Sequence, residues 1–165
     1  MRAGPVEQAP IERRPDVLVY TSSALEDDLE VSGPIELVLY AESSARDTDF
    51  VARVTDVDPA GRSFVLTEGI LRARYRGGLE RVELLEPGEA AEFRIRLYPV
   101  SHVFRAGHRI RLQVTSSCFP RFTRNLNTGE DVGTGTRMET ARNTVLHRAA
   151  YPSHLRLPVA PGPCG

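Results

Sequence analysis

Serine, histidine and aspartate, the three side chains of a hydrolytic triad, are all present in this sequence. A reactive serine needs a sharp turn between a strand and a helix, and glycines on both sides, as in G-x-S-x-G, allow that turn. The pentapeptide is absent. Ser116 and Ser117 follow a strand-like run in VTSSCF without flanking glycines. We interpret them as residues that end a strand and satisfy backbone groups, and we predict no catalytic residue.

Metal ligation is the second chemistry that the residue types allow. The four histidines are His102, His108, His147 and His154. No two of them have the i, i+4 spacing of a helical zinc site, and no cysteine pair completes one. His108 begins a predicted strand, and we interpret it as a structural histidine bonded through one ring nitrogen. Asp47-Thr48-Asp49 resembles the start of a calcium loop, but the glycine and glutamate that complete such a loop are missing. We therefore predict neither a metal site nor a cofactor.

Ion pairing is the interpretation that we prefer for the clustered charges. Alternating arginines would share a strand face opposite aspartates, while their neighbours in the sequence face the core. We expect cross-strand or interdomain ion pairs among Asp47, Asp49, Asp56, Asp58, Arg72, Arg74, Arg76, Arg109 and Arg111. Exposed pairs contribute about 0–1 kcal/mol each, whereas pairs buried by a partner would matter more. We expect Asp49→Ala and Arg109→Ala to destabilise the fold more than ordinary surface changes do.

The segment SSCFPRFTRN, residues 116–125, places two phenylalanines around a proline. Phe119 and Phe122 could bind a ligand, dock another domain, or fix the loop onto the core. Their spacing does not choose among these interpretations.

The elements that must position these residues have a period of two, which indicates strands with one buried face. The predicted strands cover residues 16–21, 35–41, 50–55, 93–97, 110–114, 143–148 and 153–158, and a further strand carries Arg72, Arg74 and Arg76. Turn signals rich in Gly, Pro and Asp separate them at 56–62, 76–78, 86–89 and 105–108. Many short strands and no long amphipathic helix predict an all-β sandwich or barrel.

Composition sets the remaining limits. The 165 residues fit one domain, and we divide them into an extended arm at 1–15, a β-sandwich at 16–159 and a flexible tail at 160–165. The net charge of −1 predicts no attraction to nucleic acid or to membranes. All 21 basic residues are arginine, through codon bias or, in the second interpretation, for binding phosphate or carboxylate. We see no signal peptide and no apolar run of about 18 residues, so we expect a cytoplasmic protein.

Six motifs in a fixed order resemble a known family. They are DTDF at 47–50, DVDPAGRS at 56–63, EGILRARYR at 68–76, GHRIRLQVTSSCFPRFTRN at 107–125, NTG at 127–129 and HLRLPV at 154–159. From about residue 5 to 159 the chain is similar to the C-terminal domain of X-Pro dipeptidyl-peptidases, cocaine esterases, α-amino-acid ester hydrolases and related acylases.

The resemblance implies a mostly antiparallel jelly-roll β-sandwich of the galactose-binding-domain-like type, placed behind an α/β-hydrolase domain with a helical cap. The family's triad lies in that upstream domain and has no matching position here. The resemblance thus implies a non-catalytic accessory domain that packs on the hydrolase domain and shapes its substrate cleft. The charged residues named above for ion pairing, with His108, Phe119 and Phe122, would then be structural or interdomain residues.

Members of the family have further strands before the point where this chain begins. Their absence would leave a free sheet edge, which a second copy of the chain would cover as a homodimer. A split gene, a truncated gene and a cloned fragment all fit this pattern. Two alternatives to the accessory domain stay open: a free-standing jelly-roll module that binds a carbohydrate or another ligand, and half of a split hydrolase completed in trans.

Overall fold

The computed structural model describes residues 6–131 and 133–160. In chain order, the elements are helix α1 (Ala9–Glu12), β1 (Val17–Thr21), β2 (Leu29–Gly33), β3 (Glu36–Ser43), β4 (Asp49–Val57), β5 (Ser63–Arg72), a 3₁₀ turn (Ala73–Tyr75), β6 (Ala91–Arg96), β7 (Val100–Phe104), β8 (Arg109–Thr115), β9 (Asn143–Val145) and β10 (His154–Arg156). No helix in these ranges is long and apolar enough to cross a membrane.

The strands form two main sheets and a ribbon. The first sheet has the order β1-β8-β4-β5, and the second has the order β10-β3-β6, with β9 also pairing to β3. Strands β2 and β7 form the ribbon. Every pairing between the strands described is antiparallel. The predicted all-β, antiparallel fold is confirmed.

The core lies between the two main sheets. The rings of Phe50 on β4 and Phe93 on β6 meet with centroids 4.6 Å apart. Leu37 and Leu39 on β3, and Ile95 on β6, are almost completely buried beside them. These residues occupy alternate positions because successive side chains of a strand point to opposite faces. The β-sandwich prediction is thereby confirmed, while its finer jelly-roll and galactose-binding-like assignment stays a prediction.

The main chain of β5 approaches the end of β6 very closely. A Cβ built on Gly69 would lie 2.3 Å from the carbonyl oxygen of Arg96, well inside any normal contact distance. Only a residue without a side chain fits here, so Gly69 permits this approach of the two sheets.

Several predicted strand limits were wrong. Strands β2 and β7 were missed because each is short and has one fully buried residue, Val31 in β2 and Phe104 in β7. The predicted strand with Arg72, Arg74 and Arg76 on one face ends at Arg72, and the chain turns into the 3₁₀ segment. The predicted strand at 143–148 ends at Val145, and that at 153–158 is limited to His154–Arg156.

The N-terminal arm contains a turn of helix, where an extended segment was expected. Pro10 lies in the first turn of α1, a position that accommodates its fixed φ and missing N–H. Residues 1–5 of the predicted arm, and 161–165 of the predicted tail, lie outside the described residues. Ala160 donates a backbone hydrogen bond to the carbonyl oxygen of Glu30, so this first residue of the predicted tail contacts the sandwich.

Candidate functional site

The arm crosses the outer face of the first sheet, the face turned away from the core. Residues 6–8 of the arm run along β5, where the amide of Gln8 donates to the carbonyl of Ser63 at 2.8 Å. Helix α1 then delivers Glu12 to the middle of the sheet. The Glu12 carboxylate accepts hydrogen bonds from Ser63 Oγ at 2.6 Å, Arg111 at 2.6 Å and Gln113 at 2.9 Å. Arg111 is therefore in an ion pair as predicted for the arginines, but its partner is a glutamate of the arm and not an aspartate of a neighbouring strand.

A buried carboxylate lies on the same face, between the arm and the loop that follows β8. Glu68 on β5 pairs with Arg53 on β4 at 2.5 Å and with Arg121 of the loop at 2.6 Å. Arg53 also donates to Gln8 of the arm at 2.8 Å. Because the Glu68 side chain is only 8% exposed, these arginines are needed to balance its charge. The cluster holds the sheet, the arm and the loop together.

Cys118 lies beside this cluster. Its Sγ is 3.4 Å from an Arg53 guanidinium nitrogen and 3.9 Å from a Glu68 oxygen. Burial, followed by the nearby Glu68 carboxylate, raises the pKa of the Cys118 thiol. This neighbourhood favours an unreactive thiol and not a nucleophile.

A cavity of about 520 Å³ opens above this charged cluster. Its walls include Val6 of the arm, Leu66 of β5, and Tyr98, Cys118 and Phe119. Tyr98 is 58% exposed and Phe119 63% exposed, so two aromatic rings border the opening. The interpretation that Phe119 fixes the loop onto the core is thereby wrong for this residue, because most of its ring faces solvent.

Phe122 is half-buried and lies under the guanidinium of Arg121, 5.7 Å from the ring centroid. Arg121 also lies 5.8 Å from the ring centroid of Tyr98, and Arg124 lies 5.1 Å from that of Phe119. Arginines over aromatic faces are attracted by the ring electrons. The loop therefore presents a surface of alternating aromatic and cationic groups.

A second set of ion pairs anchors the far end of this loop. Asp47 pairs with Arg74 at 2.7 Å, and Asp49 pairs with Arg72 at 2.9 Å. Asn125 donates to both carboxylates, at 3.0 and 2.8 Å. Both aspartates are buried, so these charge-assisted bonds form inside the protein. Four of the predicted site residues thus come together.

The other predicted charged residues lie elsewhere. The carboxylate of Asp56 lies between His102 Nε2 at 2.9 Å and His108 Nδ1 at 2.8 Å. The structural interpretation of His108 agrees with this contact, although Asp56 pairs with histidines and not with an arginine. Arg109 is exposed and donates to the carbonyl oxygen of Ser22 at 3.1 Å. In the described part of the chain it has no carboxylate partner, so the ion pair expected for Arg109 is not formed there, and Arg109→Ala should resemble an ordinary surface change.

No catalytic arrangement is formed by the serines. Ser116 Oγ accepts a hydrogen bond from Asn143 Nδ2 at 2.7 Å. Within residues 6–131 and 133–160, no serine hydroxyl is hydrogen-bonded to an imidazole. The same ranges contain no group of three His, Cys, Asp or Glu side chains placed to hold a metal ion.

A polar cavity of about 470 Å³ lies on the other side of the anchored loop. Its lining includes Thr48, Ser116, Asn125, Asn127 and Asn143. The side-chain oxygen of Asn143 is buried without a hydrogen-bond partner. The cavity therefore offers hydroxyl and amide groups to a small polar molecule.

Residues that sequence reasoning missed are the ones that join different segments. Arg53 and Glu68 are direct partners in the register of β4 and β5, and that register depends on an irregularity near Val54. Glu12 meets Gln113 across 101 residues of sequence. The motif EGILRARYR contains Glu68, but nothing in it indicates that this acid is buried.

Comparison with known proteins agrees with this architecture. The sequence model of one protein family, the X-Pro dipeptidyl-peptidase C-terminal non-catalytic domain, matches residues 3–156. The chain is 44% identical over 158 residues to a cocaine esterase of Rhodococcus sp. (strain MB1 Bresler). This alignment covers 94% of this chain and 28% of the esterase. It is also 35% identical over 118 residues to a putative serine esterase of Mycobacterium bovis, covering 61% of the chain and 19% of that protein.

Solved structures give the same result. An aminopeptidase from the marine sediment archaeon Thaumarchaeota archaeon superposes with a TM-score of 0.90 and 32% identity, over 94% of this chain and 27% of that one. An α-amino acid ester hydrolase superposes with a TM-score of 0.89 and 29% identity, over 93% and 27%. The chain thus spans about a quarter of the length of these enzymes. It belongs to the family of X-Pro dipeptidyl-peptidase C-terminal non-catalytic domains.

Proposed function

We propose that this chain is the accessory domain of a serine hydrolase and packs against the α/β-hydrolase domain that carries the chemistry. One observation carries the proposal: the chain superposes over 94% of its length on about a quarter of a larger enzyme, while its described residues contain no paired serine and imidazole. A domain of this kind contributes to activity through the stability and the shape of its neighbour, and not through a nucleophile.

Shaping of the substrate cleft is the finer part of the proposal. The loop after β8 is held at one end by the Glu68 pairs and at the other by the contacts of Asn125 with Asp47 and Asp49. A loop fixed at both ends has a defined geometry, which a wall of a binding cleft requires. We propose that this loop faces the cleft.

A chimeric enzyme tests the proposal. The region of the Rhodococcus cocaine esterase that aligns with this chain is replaced by this chain, and the esterase truncated before that region is the control. We expect the chimera to be folded and to hydrolyse p-nitrophenyl acetate, whereas this chain alone has no activity and the truncated esterase loses most of its own. If cleft shaping is correct, the chimera differs from the natural esterase in KM more than in kcat.

Two results would contradict the proposal. One is a chimera no more stable or active than the truncated esterase. The other is an isolated chain that hydrolyses the ester and loses this activity in a Ser117→Ala variant. Adding the isolated chain to the truncated esterase tests assembly in trans: recovered activity supports the split-hydrolase alternative.

A homodimer remains part of the proposal for the isolated chain. Strand β1 is at the edge of the first sheet, and Leu18 and Val19 on it are 42% and 36% exposed. The strand has no charged residue or proline that would discourage pairing with another edge. Light scattering of the isolated chain distinguishes a dimer from a monomer.

The polar cavity supports a second candidate function, a small-ligand binding module. Its hydroxyl and amide groups, together with the charged side chains of Asp16 and Arg124 in the same lining, suit a hydroxyl-rich molecule such as a saccharide. Calorimetric titration with a set of mono- and disaccharides tests this function. Heat changes that disappear in an Asn143→Ala variant support it, and titrations at the level of buffer dilution contradict it.

A further inference from the structure

We infer that the polar cavity takes a sugar acid, a monosaccharide that carries a carboxylate as well as hydroxyl groups. The carboxylate binds Arg124 at the exposed mouth of the cavity, and the hydroxyl groups bind Thr48, Ser116 and Asn143 on its floor. This inference rests on the small-ligand binding function proposed above and names the class of ligand. It does not depend on the accessory function.

The charge of the cavity is the first argument. Its lining contains two charged side chains, Asp16 and Arg124. The Asp16 carboxylate accepts from the Arg14 guanidinium at 2.9 and 2.6 Å, so its charge is already balanced. Arg124 is exposed and has no carboxylate partner among the residues described. The cavity therefore has one uncompensated positive charge, which favours an anionic ligand over a neutral one.

The contact of Arg124 with an aromatic ring is the second argument. Its guanidinium lies 5.1 Å from the ring centroid of Phe119, an attractive contact that limits the orientations of the long side chain. A guanidinium over a ring keeps its N–H groups at the edge of its plane, where a pair of them can donate to both oxygens of one carboxylate. Less conformational entropy is then lost when the ligand binds.

The hydrogen-bonding groups on the floor of the cavity are the third argument. Asn143 Nδ2 donates to Thr48 Oγ1 at 2.9 Å and to Ser116 Oγ at 2.7 Å. Because both hydroxyl oxygens accept here, each hydroxyl keeps its own hydrogen for a further acceptor. The side-chain oxygen of Asn143 has no hydrogen-bond partner in the described chain. The three side chains thus hold one another in place and present donors and an acceptor that suit neighbouring hydroxyl groups of a sugar.

The wall formed by Asn125 fixes the shape of the cavity. Its side chain donates to Asp47 and Asp49 and accepts from the amide of Asn127, so it has little capacity left for a ligand. The volume of about 470 Å³ lies in the range of roughly 300–1,000 Å³ that is usual for small-molecule sites. A single sugar ring therefore fits with its hydroxyl groups on the floor and its carboxylate towards Arg124.

Isothermal titration calorimetry of the full chain with two matched sugars tests the inference. D-glucuronate has a carboxylate where D-glucose has a hydroxymethyl group, and the two molecules are otherwise the same. We expect glucuronate to bind about tenfold more tightly than glucose, or better, because it adds a charged hydrogen bond. Added salt should weaken the binding of glucuronate and leave that of glucose unchanged. Acetate, which has the carboxylate without the hydroxyl groups, should give only the heat of dilution.

Substitution of Arg124 gives a second test. Arg124→Gln should reduce the affinity for glucuronate to that for glucose, and it should leave the melting temperature within about 1 °C because the side chain is exposed. Arg148→Gln is the matched control. Arg148 is also exposed and lies 4.8 Å from the ring centroid of Tyr151, but it does not line the cavity. This variant should bind both sugars as the natural chain does.

The outcomes separate this inference from the proposed functions. Glucose bound as tightly as glucuronate overturns the sugar acid and leaves the small-ligand function intact. Titrations of both sugars at the level of buffer dilution overturn the small-ligand function as well, while the accessory function is decided by the chimera. Glucuronate binding that survives Arg124→Gln, or that falls equally in Arg148→Gln, would overturn the inference. Acetate bound as tightly as glucuronate would overturn it too, since the hydroxyl groups would then contribute nothing.

Discussion

Replacing Asp47 by alanine should destabilise the fold by about 4 kcal/mol, because removing one partner of a buried ion pair typically costs about 3–5 kcal/mol. The Asp47 carboxylate is fully buried and accepts from the Arg74 guanidinium at 2.7 Å, from the Arg74 amide at 3.0 Å and from Asn125 at 3.0 Å. At this separation two charges attract each other by about 6 kcal/mol for an effective dielectric constant of about 20, before the cost of desolvation. Without the carboxylate, the Arg74 side chain, which is only 7% exposed, keeps its charge without a carboxylate partner and donates only to the carbonyl oxygen of Glu130.

The measurement is urea unfolding followed by circular dichroism, with thermal melting as a second reading. A loss of about 4 kcal/mol corresponds to a fall in Tm of roughly 8–16 °C for a domain of this size. Asp27→Ala, at an exposed aspartate, is the control and should change stability by less than about 0.5 kcal/mol. The double variant Asp47→Ala, Arg74→Met should recover part of the loss, because the unpaired charge is removed. A single variant within about 1 kcal/mol of the natural chain would refute this reasoning.

Three further predictions concern single residues. Gly69→Ala should lower stability by about 2 kcal/mol or more, since its Cβ would lie 2.3 Å from the carbonyl oxygen of Arg96, and chemical denaturation measures the loss. Arg111→Ala should cost about 1.5–3 kcal/mol in the same assay because a half-buried charged hydrogen bond is lost, whereas Arg109→Ala should cost less than about 0.5 kcal/mol. The raised pKa of Cys118 should make its alkylation by iodoacetamide at pH 7.5 slower than in urea, as followed by peptide mass spectrometry.

These predictions have separate controls. Gly77→Ala should be well tolerated, because its Cβ would meet only the end of the Glu83 side chain at 3.3 Å. Equal losses of stability for Arg111→Ala and Arg109→Ala would contradict the difference in their partners.

For Cys118, a folded-state pKa raised above the unfolded value stabilises the fold below the unfolded pKa of about 8.5, and this contribution is lost as pH rises through the folded pKa. Equal alkylation rates in the folded and unfolded chain would contradict the assigned environment.

The sheet architecture could be predicted from the sequence because the buried face of a strand repeats every second residue. Leu37, Leu39 and Ala41 occupy alternate positions on β3 and lie in the core, although Val38 between the two leucines is also buried. That the aspartates of the DTDF motif pair with arginines was also predictable, because the two side chains carry opposite charges. The geometry of these pairs was not predictable, because the strand ends at Arg72 and the 3₁₀ turn places Arg74 against Asp47.

The outer face of the first sheet could not be predicted in the same way. The partners of Glu68 come from another strand and from the loop after β8, and no local pattern encodes a contact with Arg121 across more than fifty residues. Similarly, His102 lies on a strand that the periodicity did not reveal, so its contact with Asp56 was not expected. These contacts depend on which strands pair, on the register of that pairing, and on where the loop after β8 packs.

The course of the arm has a consequence for the order of folding. The three partners of Glu12 are 51, 99 and 101 residues further along the chain. During synthesis the arm emerges before its partners, and it has no complete binding surface until β8 has been made and paired. Contacts this distant in sequence are slow to form. The arm should therefore be among the last segments of the domain to become resistant to protease, and pulse proteolysis during refolding would time that step.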